Sequence, residues 1–181
     1  MPDTLTSDQF KELCRQEFHF LTDEYGFTER ELPKIEFINQ VQVQFVNTTT
    51  LVAVEGLSYG QQVRVSIGRV EPEAWETNEK YYLGDLLEIR SPELSLIGPD
   101  GFSVSSDQAF QIKHYAHALK KCADDVLRGD LSIFPKLHEA IERRRKEYGP
   151  GFLERTAGLI LFVVLWPWLW LLEGLRRLSK K

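Results

Sequence analysis

Cysteine is scarce in this chain: its 181 residues hold only Cys14 and Cys122, with no CxxC spacing between them. That excludes a zinc site built on paired thiolates and a disulfide-stapled secreted scaffold, and both residues read as reduced thiols packed on helices. The opening MPDTLTSDQF lacks a basic cluster and an apolar run. No export signal is read there, so the body is expected in the cytoplasm. Internal repeats, the HExxH spacing and phosphate-cradling glycine loops are missing as well. A nucleophile elbow for Ser-His-Asp chemistry is not expected either. Long apolar runs are lacking too, with one exception.

The exception is AGLILFVVLWPWLWLL, residues 157–172, a run of 16 without a charged side chain. At 1.5 Å per residue it reaches about 24 Å as a helix, and residues 156–175 reach about 30 Å, the thickness of a hydrocarbon core. The segment is apolar on every side, so it needs cover all round, which a body of this size cannot give while closing its own core. A membrane anchor is therefore expected, with Leu159, Ile160, Phe162, Leu165, Trp166, Trp168, Trp170 and Leu172 in lipid. The tryptophans suit the headgroup level, and Pro167 is tolerated in a membrane helix. Arg155 before the run and Arg176, Arg177, Lys180 and Lys181 after it are expected at anionic headgroups. Because Arg143, Arg144, Arg145 and Lys146 add to the leading flank, the two sides are nearly balanced. Spanning, lying within one leaflet, and burial in a homo-oligomer all stay open.

Charge divides along the same line. Residues 143–181 hold nine bases against three acids, a net of +6, leaving 13 against 24 in residues 1–142, a net of −11. An acidic body argues against a nucleic-acid partner, and a basic collar around an apolar run points to a lipid bilayer. With 43% apolar and 27% charged residues the chain has the make-up of a folded protein.

Within the body, Phe10, Leu13, Cys14, Phe18, Leu21 and Tyr25 recur at helical spacing after a cap at Thr6 or Ser7, and Gly26 ends the helix. The period then changes to two. Val41, Val43 and Phe45 alternate with glutamines, Val52 and Val54 oppose Leu51, Ala53 and Glu55, and Val63, Val65 and Ile67 oppose Arg64 and Ser66. These are three strands of an antiparallel meander, with one covered and one wet face. YYLGDLLEIR reads as a short helix after an acidic loop. A long helix capped at Ser105 or Ser106 runs through Phe110, Tyr115, Leu119, Cys122 and Val126 to Gly129, and another from Leu131, with Pro135 in its first turn, runs to Gly149. The fold expected is α+β, a three-stranded antiparallel meander packed with N-terminal and C-terminal helices, as a domain of residues 1–148 followed by the hydrophobic segment 149–181.

Chemistry is sparse. His114 and His117, three residues apart on one helix, are the candidate metal ligands, with Asp124, Asp125 and Asp130 downstream. On them rests an alternative reading as a metal-dependent hydrolase; otherwise they are surface histidines, and no cofactor is expected. His19 and His138 read as boundary residues, and the triplet Arg128-Gly129-Asp130 as a helix corner. Asp23, Glu24, Glu29, Glu31, Glu71, Glu73, Glu76 and Glu79 form an acidic strip, either solvated surface or a docking face for a basic partner. A sheet edge offers strand pairing as a second route to a protein partner.

FKELCRQEFHFLTDEYGF and HALKKCADDVLRGDLSIFPKLHEAIERRR resemble segments of small uncharacterised bacterial α+β proteins, some of which sit beside toxin genes as immunity-like factors. The resemblance covers residues 8–148, leaves out the apolar segment, and implies a binding protein without transferring any catalytic role. The function expected is a membrane-attached protein-interaction module at the cell membrane, its main domain facing the cytoplasm. A third reading makes the Trp-rich segment itself a membrane-perturbing effector.

Overall fold

The computed structural model describes residues 5–32, 41–57, 62–70, 79–96, 105 and 107–148. The chain divides into two units, Met1–His138 and Glu139–Lys181. The division falls inside the last described helix, ten residues before the boundary read from the sequence at 148. All of residues 149–181, and with them every anchor and headgroup position named above, lie outside the described residues.

Helix α1, Ser7–Glu17, opens on a capping box. Thr6 Oγ1 accepts the Gln9 N–H at 3.3 Å while Gln9 Oε1 accepts the Thr6 N–H at 3.0 Å. The single helix expected up to Gly26 is broken at Phe18, where ψ turns to 12°, and α2, His19–Tyr25, follows. The break seats Phe18 in the core, stacked at 6.2 Å on both Phe20 and Phe45. Gly26 ends α2 in the left-handed conformation, as its position suggests.

Among the described residues five strands, not three, form the sheet: β1 Thr28–Arg30, β2 Gln42–Val46, β3 Thr50–Leu57, β4 Gln62–Arg69 and β5 Lys80–Tyr82, in that order and all antiparallel. The central three are those the alternation marks. The outer two are only three residues long, too short for a period to show. Short, charged edge strands of this kind also blunt strand addition by another chain, which narrows that route to a partner.

On one face the register lines up Val43 with Val54 and Val65, and Phe45 with Val52, Ile67 and Tyr81. Against the sheet pack α1, α3 (Leu83–Arg90) and α4 (Gln108–Cys122). Leu83, Leu86 and Leu87 of α3 and Ile112 and Leu119 of α4 have no exposed surface. Removing these side chains from water supplies the bulk of the folding free energy, at about 1.5–3 kcal/mol for each large apolar residue.

The second face departs from the expectation of a wet surface. Gln44, Ala53 and Ser66 stand side by side across β2, β3 and β4, and none is more than 1% exposed. Beside them Glu55 accepts bonds from Gln42 Nε2 at 3.1 Å and Lys80 Nζ at 2.8 Å, and Arg64 lies 4.7 Å above the Tyr82 ring. Alternation reports on which side of the sheet a residue stands, not whether that side meets water.

Asp107, not Ser105 or Ser106, caps α4 by accepting the Phe110 N–H at 3.1 Å. Buried Gln111 then ties α4 to the sheet. Its Oε1 accepts the Val63 N–H at 2.7 Å and its Nε2 donates to the Ser105 carbonyl at 2.7 Å. Gln111→Met keeps the volume but strips Val63 of its acceptor, and should cost about 1–3 kcal/mol in denaturant unfolding. A loss near zero would mean that water replaces the amide. The helix expected to reach Gly129 stops at Cys122, and a short α5, Asp124–Leu127, leads to Gly129 at φ 94°. Last comes α6, Phe134–Tyr148, three residues later than read, with Pro135 still in its first turn and the Phe134 ring edge-on to Tyr81 at 4.8 Å.

Candidate functional site

Helix α4 is cleanly two-sided. At 100° per residue, Gln108, Gln111, Ile112, Tyr115, Ala116, Ala118, Leu119 and Cys122 share one side and all are buried. The other side carries Phe110, 47% exposed, with exposed Lys113, His117, Lys120 and Lys121 and half-buried His114. QAFQIKHYAHALKKC contains no acid, whereas among the described residues each of the other five α-helices contains at least two. Helix α4 thus presents an outer face of lysines, histidines and one aromatic ring, with the exposed cap Asp107 at its start. Phe110 stacks on His114 with ring centres 5.9 Å apart, and Lys120 lies 5.3 Å from the Phe20 ring centre while pairing with Glu24.

The two histidines read as metal candidates both stand on this outer side, but in different settings. His114 Nε2 lies 2.7 Å from the Leu94 carbonyl oxygen, which can only accept, so that nitrogen carries a proton and is engaged. His117 is exposed one turn on. Among the described residues no group of three His, Cys, Asp or Glu side chains is placed to hold a metal ion. The downstream aspartates are committed to the fold: Asp124 to Tyr25 and Arg128, Asp125 to both terminal nitrogens of Arg90 at 2.6 Å, and Asp130 to the Ser132 N–H.

Titration follows these contacts. Hydrogen bonds from Arg128, then from Tyr25, hold the Asp124 carboxyl below its ordinary range, and Arg90 does the same for Asp125. Burial, with help from Asp124, pushes the Tyr25 phenol up to about 12. Burial alone raises the Tyr115 phenol, and burial is the main cause that lifts the Cys14 thiol far above its usual range, so Cys14 is no nucleophile at neutral pH. His19 Nδ1 lies 2.7 Å from the Gln16 carbonyl, and His138 is exposed on α6.

The acidic strip is partly neutralised within the chain. Glu29 receives Arg15 through two bonds of 2.8 and 2.9 Å, Glu79 receives Arg69 at 2.9 Å, and Glu24 receives Lys120. Asp23 and Glu31 are exposed, while Glu71, Glu73 and Glu76 lie outside the described residues.

Contrary to the expectation of no nucleophile elbow, Gly56-Leu57-Ser58-Tyr59-Gly60 has the G-x-S-x-G lettering of one. An elbow needs a strand that turns into a helix. Here Gly56 and Leu57 end β3, and β3 runs on to its antiparallel neighbour β4, so the context of an elbow is missing; Ser58 to Gly60 lie outside the described residues. A cleft of about 500 Å³ opens between the β2–β3 turn and the α5–α6 connection, lined by Thr48, Thr49, Arg69, Val70, Gly129, Leu131 and Ser132. It holds hydroxyls and one guanidinium already bound to Glu79, and no base beside any hydroxyl. Among the described residues no helix is long and apolar enough to cross a membrane.

No protein family, curated protein or solved structure matches the chain.

Proposed function

We propose that the protein is a membrane-attached binding module: an α+β body that engages a protein partner, immunity-like in acting by occupancy, held on the cytoplasmic side of the cell membrane by its apolar C-terminal segment. The observation that carries this is the 16-residue run at 157–172 with bases on both sides. Each leucine, isoleucine, phenylalanine or valine in such a run favours insertion by about 0.3–0.6 kcal/mol, while an arginine at the centre opposes it by about 2.5–3.5 kcal/mol. Binding is favoured over catalysis because the chemistry-bearing side chains already serve the fold. Asp124, Asp125 and Asp130 cap and clamp the helix corner, and the Cys14 thiol is buried. Partner contact would fall on the exposed acids, Asp23 on α2 and Glu31 just beyond the edge strand β1.

The test is membrane fractionation of the full chain with an alkaline wash. The full chain should stay in the pellet, and Leu165→Arg should shift the partition toward solution by on the order of 100-fold. A chain ending at Tyr148 should stay soluble. Recovery of the full chain as a soluble monomer would sink the attachment.

A further inference from the structure

We propose that the outer face of α4 is a contact surface for anionic lipid, on which the body of the attached protein lies. This rests on the membrane attachment proposed above and adds an orientation and a headgroup preference to it. From Phe110 to Lys121 the face runs about 16 Å along the helix. Over that length Lys113 stands one turn from Phe110, whose ring is 47% exposed, and Lys120 and Lys121 stand at the far end of the same face. Cations beside a projecting ring are the composition of helices that lie in the headgroup layer, where the ring enters the acyl boundary and the ammonium groups stay with the phosphates.

The rest of the body decides the orientation. Residues 1–142 carry a net charge of −11, so a negative bilayer surface repels every aspect of the body except one that is locally positive. Among the described α-helices, α4 is the one without an acid. Acids on elements packed beside it are partly neutralised: Glu24 by Lys120 and Glu12 by Arg15 at 3.8 Å, while Glu93 of the turn Pro92–Leu94 is exposed. A face that touches the bilayer lies within the roughly 8–10 Å over which the lipid field persists at physiological salt. Each lysine held there favours contact about fivefold. An acidic protein would satisfy the same charges, but it must first be met by diffusion, whereas lipid is already beside an attached chain.

The full chain is reconstituted into vesicles of phosphatidylcholine alone and of phosphatidylcholine with phosphatidylserine, and flotation is recorded. Lysine labelling by an amine-reactive reagent is then followed by peptide mass spectrometry. Labelling of Lys113 and Lys121 should slow at least about fivefold when phosphatidylserine is present. Lys80, bound to Glu55 on the opposite face of the sheet, should label at one rate in both. The variant Phe110→Ser with Lys113→Gln and Lys121→Gln alters only outward side chains. It should float as the parent does and label Lys120 equally on both vesicles. Equal labelling of Lys113 and Lys121 on both vesicles overturns the proposal. So does protection that appears only when polyglutamate is added, which would assign the face to an acidic protein. If the chain fails to float with neutral vesicles, the attachment is wrong. Binding to phosphatidylserine vesicles that depends on Lys113 and Lys121 would still uphold the α4 surface in that case, and no binding to either vesicle would end both ideas.

Discussion

Phe18→Ala is expected to lower the stability of the body by about 3–5 kcal/mol, a large part of the 5–15 kcal/mol typical of a folded domain. Phe18 has no exposed surface and occupies the break between α1 and α2, from which its ring reaches Phe20 and Phe45 at 6.2 Å each. It therefore joins the helix layer to the sheet. Alanine there loses the transfer term and leaves a cavity that two helices and a strand must close by moving together. Phe110→Ala supplies the contrast. That ring is about half exposed on the outer side of α4, so its loss should change stability by no more than roughly 0.5 kcal/mol. Denaturant unfolding of the full chain in a mild non-ionic detergent, followed by circular dichroism, reads both. Equal effects at Phe18 and Phe110 would contradict the core described above.

Much of this architecture is legible in the letters, for reasons that also explain what is not. Phe10, Cys14 and Phe18 repeat at helical spacing and are all buried, and the alternating valines of β2, β3 and β4 pair in one register on one face. Those signals are local and long enough to average over. Three-residue strands such as Thr28–Arg30 carry no period, and their existence is set by the neighbour they pair with, Thr28 opposite Val46 and Arg30 opposite Gln44. The stop at Cys122 is hidden for a related cause. Arg90 donates to the Cys122 carbonyl at 2.6 Å and clamps Asp125, so a residue 32 positions away helps fix where α4 ends. The candidate surface was half visible. Its lysines and histidines stand plainly in KHYAHALKK, but that they share an outer face with Phe110 depends on which flank of α4 meets the sheet. His114 and His117 share this helix with three lysines and no acid, a composition that marks a charged surface more directly than a three-residue histidine spacing marks a metal site. Glu24, Glu29 and Glu79 looked like one steering surface because pairing across 10 to 96 positions leaves no trace in the order of residues.

Gly129→Ala should be the most damaging substitution of a single hydrogen by a methyl group in the described residues, at about 2–4 kcal/mol. Two costs add. At φ 94° an L side chain is strained, worth about 1–2 kcal/mol. The new Cβ would also stand 2.6 Å from Thr49 Oγ1, too close for any ordinary contact. Thr49 cannot simply move aside, because the turn that carries it is fastened on several sides. Asn47 Oδ1 accepts the N–H groups of Thr49 and Thr50 at 3.0 and 2.8 Å. Asn47 Nδ2 donates to the Leu127 carbonyl at 3.1 Å and Thr50 Oγ1 to that of Val126 at 2.9 Å. The two costs separate in a double-mutant cycle. In a Thr49→Ala background the offending oxygen is gone and the nearest remaining atom, Thr49 Cβ, lies 3.3 Å away. There Gly129→Ala should cost only the backbone strain, so the cycle should give a coupling of about 1–2 kcal/mol. Equal costs in both backgrounds would mean that backbone conformation alone keeps glycine at this corner. A coupling of the expected size would instead make the triplet Arg128-Gly129-Asp130 a packing device: Arg128 bonded to Asp124, Asp130 capping Ser132, and Gly129 between them letting the β2–β3 turn close against α5.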